Sequence, residues 1–203
     1  DKGLRLPPKI APIQIVIIPI FKSDKDLKKI KKYLIPFIKQ LNLENIRFKF
    51  DDRLKVSPGY KFNEWEMKGV PIRVEVGPRD MENNTVLCVQ RDSKEKQIYK
   101  LNSIISKLSL LLNEIQKNMF NQAYDFMKKN SHFVDTFDEF KSIIKNGGFI
   151  QCGWDGNPDT EASIKLETKA TIRCIISELN NKSKKCIYSA KPAKYEVVYA
   201  KAY

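Results

Sequence analysis

The sequence predicts an α/β protein of two domains, and three observations carry that prediction. Ile13–Ile20 is an almost unbroken β-branched run, the pattern of a central strand covered on both faces. Short strand-like segments then alternate with helical apolar stripes, as a layered α/β domain requires. The alternation breaks at Ser131–Asp135 and resumes in a shorter second set. A chain of 203 residues is long enough for two such cores.

Each element has a local reason. Ser23 with Asp26 three residues on makes a helix start. Leu27, Ile30, Leu34, Ile38 and Leu41 form one apolar stripe behind it, and Pro36 is expected to kink the helix. Lys25, Lys28, Lys29, Lys31, Lys32 and Lys39 take the rest of its surface, either as a solvated face or as a phosphate-binding one. Ile46–Phe50 alternates as a second strand. Pro58-Gly59 turns the chain into a short helix, Tyr60–Lys68, closed by Gly69. Pro71 opens a third strand in which Ile72, Val74 and Val76 alternate with Arg73 and Glu75. Thr85–Gln90 and Glu95–Tyr99 read as strands four and five. From Leu101 a helical stripe runs through Ile104, Ile105, Leu108, Leu111, Leu112, Ile115, Met119, Ala123 and Met127, expected to pack on the sheet.

Past the break, Thr136 and Glu139 start a helix carrying Phe137, Phe140, Ile143 and Ile144, with Gly147-Gly148 as the turn that ends it. Phe149–Cys152, Ala170–Ile176 and Tyr195–Tyr199 read as strands, Asp159–Thr168 as a helix, and Asn180–Lys185 as an exposed loop. The expected domains are residues 11–130 and 131–203, with 1–10 as a lead-in.

Composition narrows the partner. Of the residues, 42% are hydrophobic and 30% charged, with a net charge of +13, which favours a polyanion, nucleic acid before an anionic membrane. No apolar run approaches a membrane span and no secretory leader is recognisable, so the cytoplasm is the expected compartment. Cys88, Cys152, Cys174 and Cys186 are widely spaced and suit free, buried thiols. His132 is the only histidine, so neither a metal cluster nor a nucleophile–base pair is expected. A nucleotide-binding enzyme is disfavoured by the lack of a glycine-rich first βα turn.

The stretch Ser57–Asp80, SPGYKFNEWEMKGVPIRVEVGPRD, concentrates the chemistry. Phe62 and Glu66 stand four apart on one helix face, and Arg73 and Glu75 share the polar face of the strand. Gly77-Pro78-Arg79-Asp80 follows as a turn with another cation–carboxylate pair. A ring that stacks, a carboxylate that accepts and an arginine that donates together suit an unstacked base. Guanine, with one acceptor and two donors on its Watson–Crick edge, matches best. The same residues would also serve an exposed helix, a half-buried strand and surface salt bridges.

This stretch resembles the signature of the anticodon-binding domain of prolyl-tRNA synthetase of the eukaryotic and archaeal cytosolic type. The flanking LPPKIAPIQIVIIPI and the ending KPAKYEVVYAKAY are similar to the same family, so the resemblance runs from about Leu4 to Tyr203. It implies a class II aminoacyl-tRNA synthetase anticodon-binding fold, a mixed five-stranded sheet flanked by helices, followed by a smaller α/β domain similar to the family's zinc-binding one. It implies tRNA(Pro) as partner, whose anticodons end in two guanines, with contacts from Phe62, Glu66, Arg73, Arg79 and Asp80. Arg73 would donate to guanine or hold Glu66 in place; Trp65 is expected in the core. Arg79 stands where some relatives have lysine.

The second domain departs from the pattern. Asp155 and Thr160 stand at two of the four zinc-ligand positions and Tyr188 at a third, leaving Cys186 alone, so no zinc is expected; Cys152 and Cys174 read as buried core. Tyr203 matches the family's terminal tyrosine, whose carboxylate reaches toward the catalytic domain, although a frayed end is equally compatible. Catalytic motifs are not found in these residues. ATP, magnesium and homodimerisation are therefore expected only of a full-length ligase, and this stretch is expected to be catalytically inactive and monomeric. Lysine, asparagine and isoleucine usage suggests an apicomplexan source. The rival reading is a non-catalytic accessory module on the same fold.

Overall fold

The computed structural model describes residues 3–179 and 184–201. Two compact units divide the chain, residues 1–122 and 123–203.

In the first unit, β1 (Ile15–Pro19) is buried along its whole length, as its β-branched run requires. It lies parallel to both β2 (Phe48–Phe50) and β3 (Ile72–Val76). β4 (Thr85–Gln90) and β5 (Lys96–Lys100) add antiparallel, giving the mixed order β2-β1-β3-β4-β5. Ser23 caps α1 (Asp24–Tyr33) by accepting from the Asp26 N–H at 3.2 Å. The kink expected at Pro36 is a full break: α1 ends before Leu34, and α2 (Ile35–Leu43) begins with the proline in its first turn.

The two faces of the sheet are covered differently. α1, α2 and α5 (Leu101–Lys129) pack Ile30, Leu34, Phe37, Leu41, Ile104 and Leu108 on Ile15, Ile17, Ile72, Val74 and Val76. On the other face α3 (Pro58–Met67), capped by Ser57, sets Trp65 against Val16, Ile18 and Val70. Trp65 is core, as expected. Removing its ring from that contact would cost about 3–5 kcal/mol. Gly69, at φ +74°, lets the chain leave α3 and enter β3.

The α5 stripe is core only in part. Leu101, Ile104, Leu108, Leu111, Leu112 and Ile115 are buried, but Ala123 and Met127 are exposed, so the pattern continues past its cover. α4 (Pro78–Glu82) replaces the expected turn after β3.

In the second unit β6 (Ser131–Phe133), β7 (Phe149–Trp154), β8 (Ala170–Glu178) and β9 (Tyr195–Lys201) form a sheet in the order β6-β7-β9-β8, with only β6–β7 parallel. β6 occupies the segment expected to be a break. α6 (Phe137–Lys145), capped by Thr136, and α7 (Pro158–Thr168) contribute Phe140, Ile144 and Ile164 to a core with Ile150, Cys152, Val197 and Tyr199. Cys174, expected in the core, is exposed: β8 is an edge strand with register shifts, so its alternation does not hold one face inward. No helix among the described residues is long and apolar enough to cross a membrane.

Candidate nucleic-acid interface

The register places Arg73 opposite Val16 and Glu75 opposite Ile18 on the sheet face that α3 covers. Both charged side chains are therefore buried, at 8% exposure each, instead of lying on an open polar face. Arg73 satisfies itself in three directions. Its Nη1 donates to Glu66 Oε1 at 2.6 Å and its Nε to Glu75 Oε1 at 2.9 Å, while the guanidinium lies 4.4 Å from the centroid of the Phe62 ring. A lone arginine there would be an uncompensated buried charge; two carboxylates and a ring face offset its desolvation.

Phe62, Glu66 and Arg73 are thus one constellation. Glu66 is its exposed member, with a side chain 42% accessible and Oε2 without a donor among the described residues. The adjoining cleft, between Trp65, Glu66, Val70, Arg73, Gln90 and Arg91, holds only about 10 Å³, room for about one water. Arg73, with two carboxylates to hold, positions Glu66.

Arg79 and Asp80 behave differently. They do not pair with each other: Asp80 Oδ2 accepts from the Gly77 N–H at 2.8 Å and so caps α4. Arg79 is exposed just past the carboxyl end of β3, with no ion pair among the described residues. Tyr203 lies outside the described residues.

Sequence reasoning missed a second charged group beneath α3. Asp51 and Lys61 are 2% and 1% exposed. Asp51 takes Arg53 Nε at 2.8 Å and Nη2 at 2.7 Å, and the Trp65 indole N–H at 2.8 Å. Burial alone would raise the Asp51 carboxyl, but the bonds from Arg53 and Trp65 outweigh it and hold the pKa at about 2. Burial pushes the Lys61 ammonium below its usual value, with Asp51 opposing. A buried tryptophan needs an acceptor for its N–H, and that was the available signal.

In the second unit two of the four residues expected at zinc-ligand positions, Asp155 and Thr160, are bonded to each other. Asp155 Oδ2 accepts from Thr160 Oγ1 at 3.0 Å and Ser189 Oγ at 2.7 Å, while Oδ1 accepts from the Asn157 N–H. The Tyr188 hydroxyl donates to Glu167 at 2.8 Å. Cys186 remains a single buried thiol. One thiol and one carboxylate, the latter already engaged, do not fit tetrahedral zinc. No cluster of three or more His, Cys, Asp or Glu among the described residues has metal-binding geometry.

The five-stranded mixed sheet with α3 laid over β1 and β3 defines an anticodon-binding domain of the class II aminoacyl-tRNA synthetase kind, and residues 14–111 match the family described as anticodon binding domain. Residues 137–203 match the family described as prolyl-tRNA synthetase, C-terminal. Together these matches make the chain the anticodon-binding and C-terminal domains of the prolyl-tRNA synthetase family.

Relatives agree over the whole chain. Proline–tRNA ligase of Amoebophilus asiaticus is 45% identical over 204 residues, and those of Flavobacterium psychrophilum and Parabacteroides distasonis are 44% and 45% identical over 204 and 203 residues. Each match spans 100% of this chain but 41–42% of the relative, so the chain spans under half the length of the proteins it matches. These relatives are bacterial, which corrects the expectation of a eukaryotic or archaeal-type source and of an apicomplexan in particular.

Proposed function

We propose that this chain reads the anticodon of tRNA(Pro) for a longer proline–tRNA ligase. The single observation that supports it is the Glu66 carboxylate. Arg73 holds one oxygen, while the other has no donor among the described residues and is left for a guanine N1–H and N2–H₂ pair. Phe62 walls the position behind Arg73, and Arg79 stands free to meet a guanine acceptor or a phosphate. Asp80 completes the site through the turn it caps. Lysines supply salt-dependent, sequence-independent affinity, and the Phe62–Glu66–Arg73 group supplies discrimination.

The ligation itself, with ATP and magnesium, belongs on this reading to the part of the protein that precedes these residues, acting as a cytoplasmic homodimer. The second domain keeps its fold without zinc, through the Asp155 hydrogen bonds. The test is binding of the chain to proline anticodon stem-loops with each anticodon guanine replaced in turn. Replacing either should weaken binding about tenfold or more, and Glu66→Ala should erase most of that difference at one of the two positions. Equal binding of all stem-loops would contradict the reading and favour an accessory module.

A further inference from the structure

A cleft of about 280 Å³ opens beside α3, lined by Pro19, Phe21, Leu54, Val56, Pro58 and Lys61, with Lys55 at its exposed rim. It lies at the carboxyl ends of β1 and β2, the edge of an open α/β sheet where ligands commonly bind. Lys61 is among its lining residues. It is 1% exposed, and among the described residues its ammonium makes one hydrogen bond, to the Asp51 carbonyl at 3.0 Å. The nearest carboxylate oxygen is 3.8 Å away, and Arg53 and Trp65 already occupy that carboxylate. The Phe21 ring lies 5.6 Å away.

An ammonium has three N–H donors, and burying one under-used is costly unless something supplies acceptors. Aliphatic and aromatic walls around a buried donor suit a flat heterocycle with a carbonyl oxygen better than they suit a bare phosphate. We propose that this cleft is a second nucleotide subsite. It takes an unpaired RNA base bearing a ring carbonyl (guanine, uracil or cytosine), with Lys61 donating to that oxygen, Phe21 and Pro58 flanking the ring and Lys55 reaching the phosphate. Adenine, which has no ring carbonyl, is refused. The inference rests on the anticodon-loop reading: Lys61 and Phe62 are neighbours on α3, so a loop whose guanine meets Glu66 can place an adjacent nucleotide in the cleft.

The experiment is fluorescence anisotropy with the proline anticodon stem-loop and with versions carrying adenine, one position at a time, at the loop nucleotides flanking the two guanines. In the wild-type protein adenine at one flanking position should weaken binding five- to tenfold. Lys61→Met should bring the unmodified loop to the same weakened affinity and make the adenine version no worse. Val56→Trp, which fills the cleft without touching the buried charges, should do likewise and decides the matter if Lys61→Met does not fold. In both variants the preference for guanine over other bases at the anticodon should persist. If Val56→Trp binds as wild type while Glu66→Gln loses guanine preference, the subsite is refuted and the anticodon reading stands. If guanine preference is absent in the wild type, the anticodon reading itself falls.

Discussion

Asp51 and Lys61 sit side by side with opposite charges, yet each is satisfied mainly by something else. Asp51 belongs to Arg53 and Trp65, and Lys61 to a backbone carbonyl. This residue-scale detail sets a pH dependence. The Asp51 pKa of about 2 lies below its ordinary 3.8, so its contribution is complete above about pH 4 and is lost as the pH falls through 2. That difference corresponds to about 2 kcal/mol. Urea midpoints measured from pH 6 down to pH 2 should fall in the wild type and flatten in Asp51→Asn, which starts lower. None of this was legible, because a lysine next to Phe62 in KFNEW reads as surface; its burial is decided by a strand end ten residues away. Phe62, Glu66 and Arg73, by contrast, were legible together, since helical and strand spacing fix which side each occupies. What spacing could not show is that Arg73 spends its donors on two glutamates.

At the scale of elements, α3 is the part on which both proposed nucleotide sites depend, and its two ends hold it in place. Ser57 caps the start, and Gly69 allows the close approach at the finish: a Cβ there would lie 2.8 Å from the Leu4 Cβ, on a backbone at φ +74°. Leu4 and Leu6 donate to the Met67 and Gly69 carbonyls, so the incoming segment is stitched to the helix. Gly69→Ala should therefore cost about 1–3 kcal/mol in thermal unfolding and also weaken stem-loop binding. Ser57→Ala should cost about 1 kcal/mol. The strands of the first sheet followed from β-branched runs and alternation. β6 did not, because Ser-His-Phe is too short to show a period. The end of the α5 stripe misled for another reason: periodicity says which face is apolar, not whether anything covers it.

Across the whole molecule, a net charge of +13 makes affinity for RNA depend on salt whatever the sequence read. Arg79→Ala should lower the slope of log affinity against log salt by about 0.7–0.9 if it meets a phosphate, and leave the slope unchanged if it meets a base. A chelator should leave the thermal unfolding of the second domain unmoved, because Asp155 is already engaged by Thr160 and Ser189 and only one thiol stands beside it in the expected ligand set. A drop of several degrees would show that a metal is held after all. The central claim is that Glu66 accepts from guanine, and a coupling cycle measures it directly. Inosine, which lacks only the guanine amino group, is placed at each anticodon guanine in turn and bound to wild type and to Glu66→Gln. Loss of the amino group should weaken wild-type binding about tenfold at one position and change binding to the variant by less than about twofold. Equal losses in both proteins would mean that Glu66 does not touch the base.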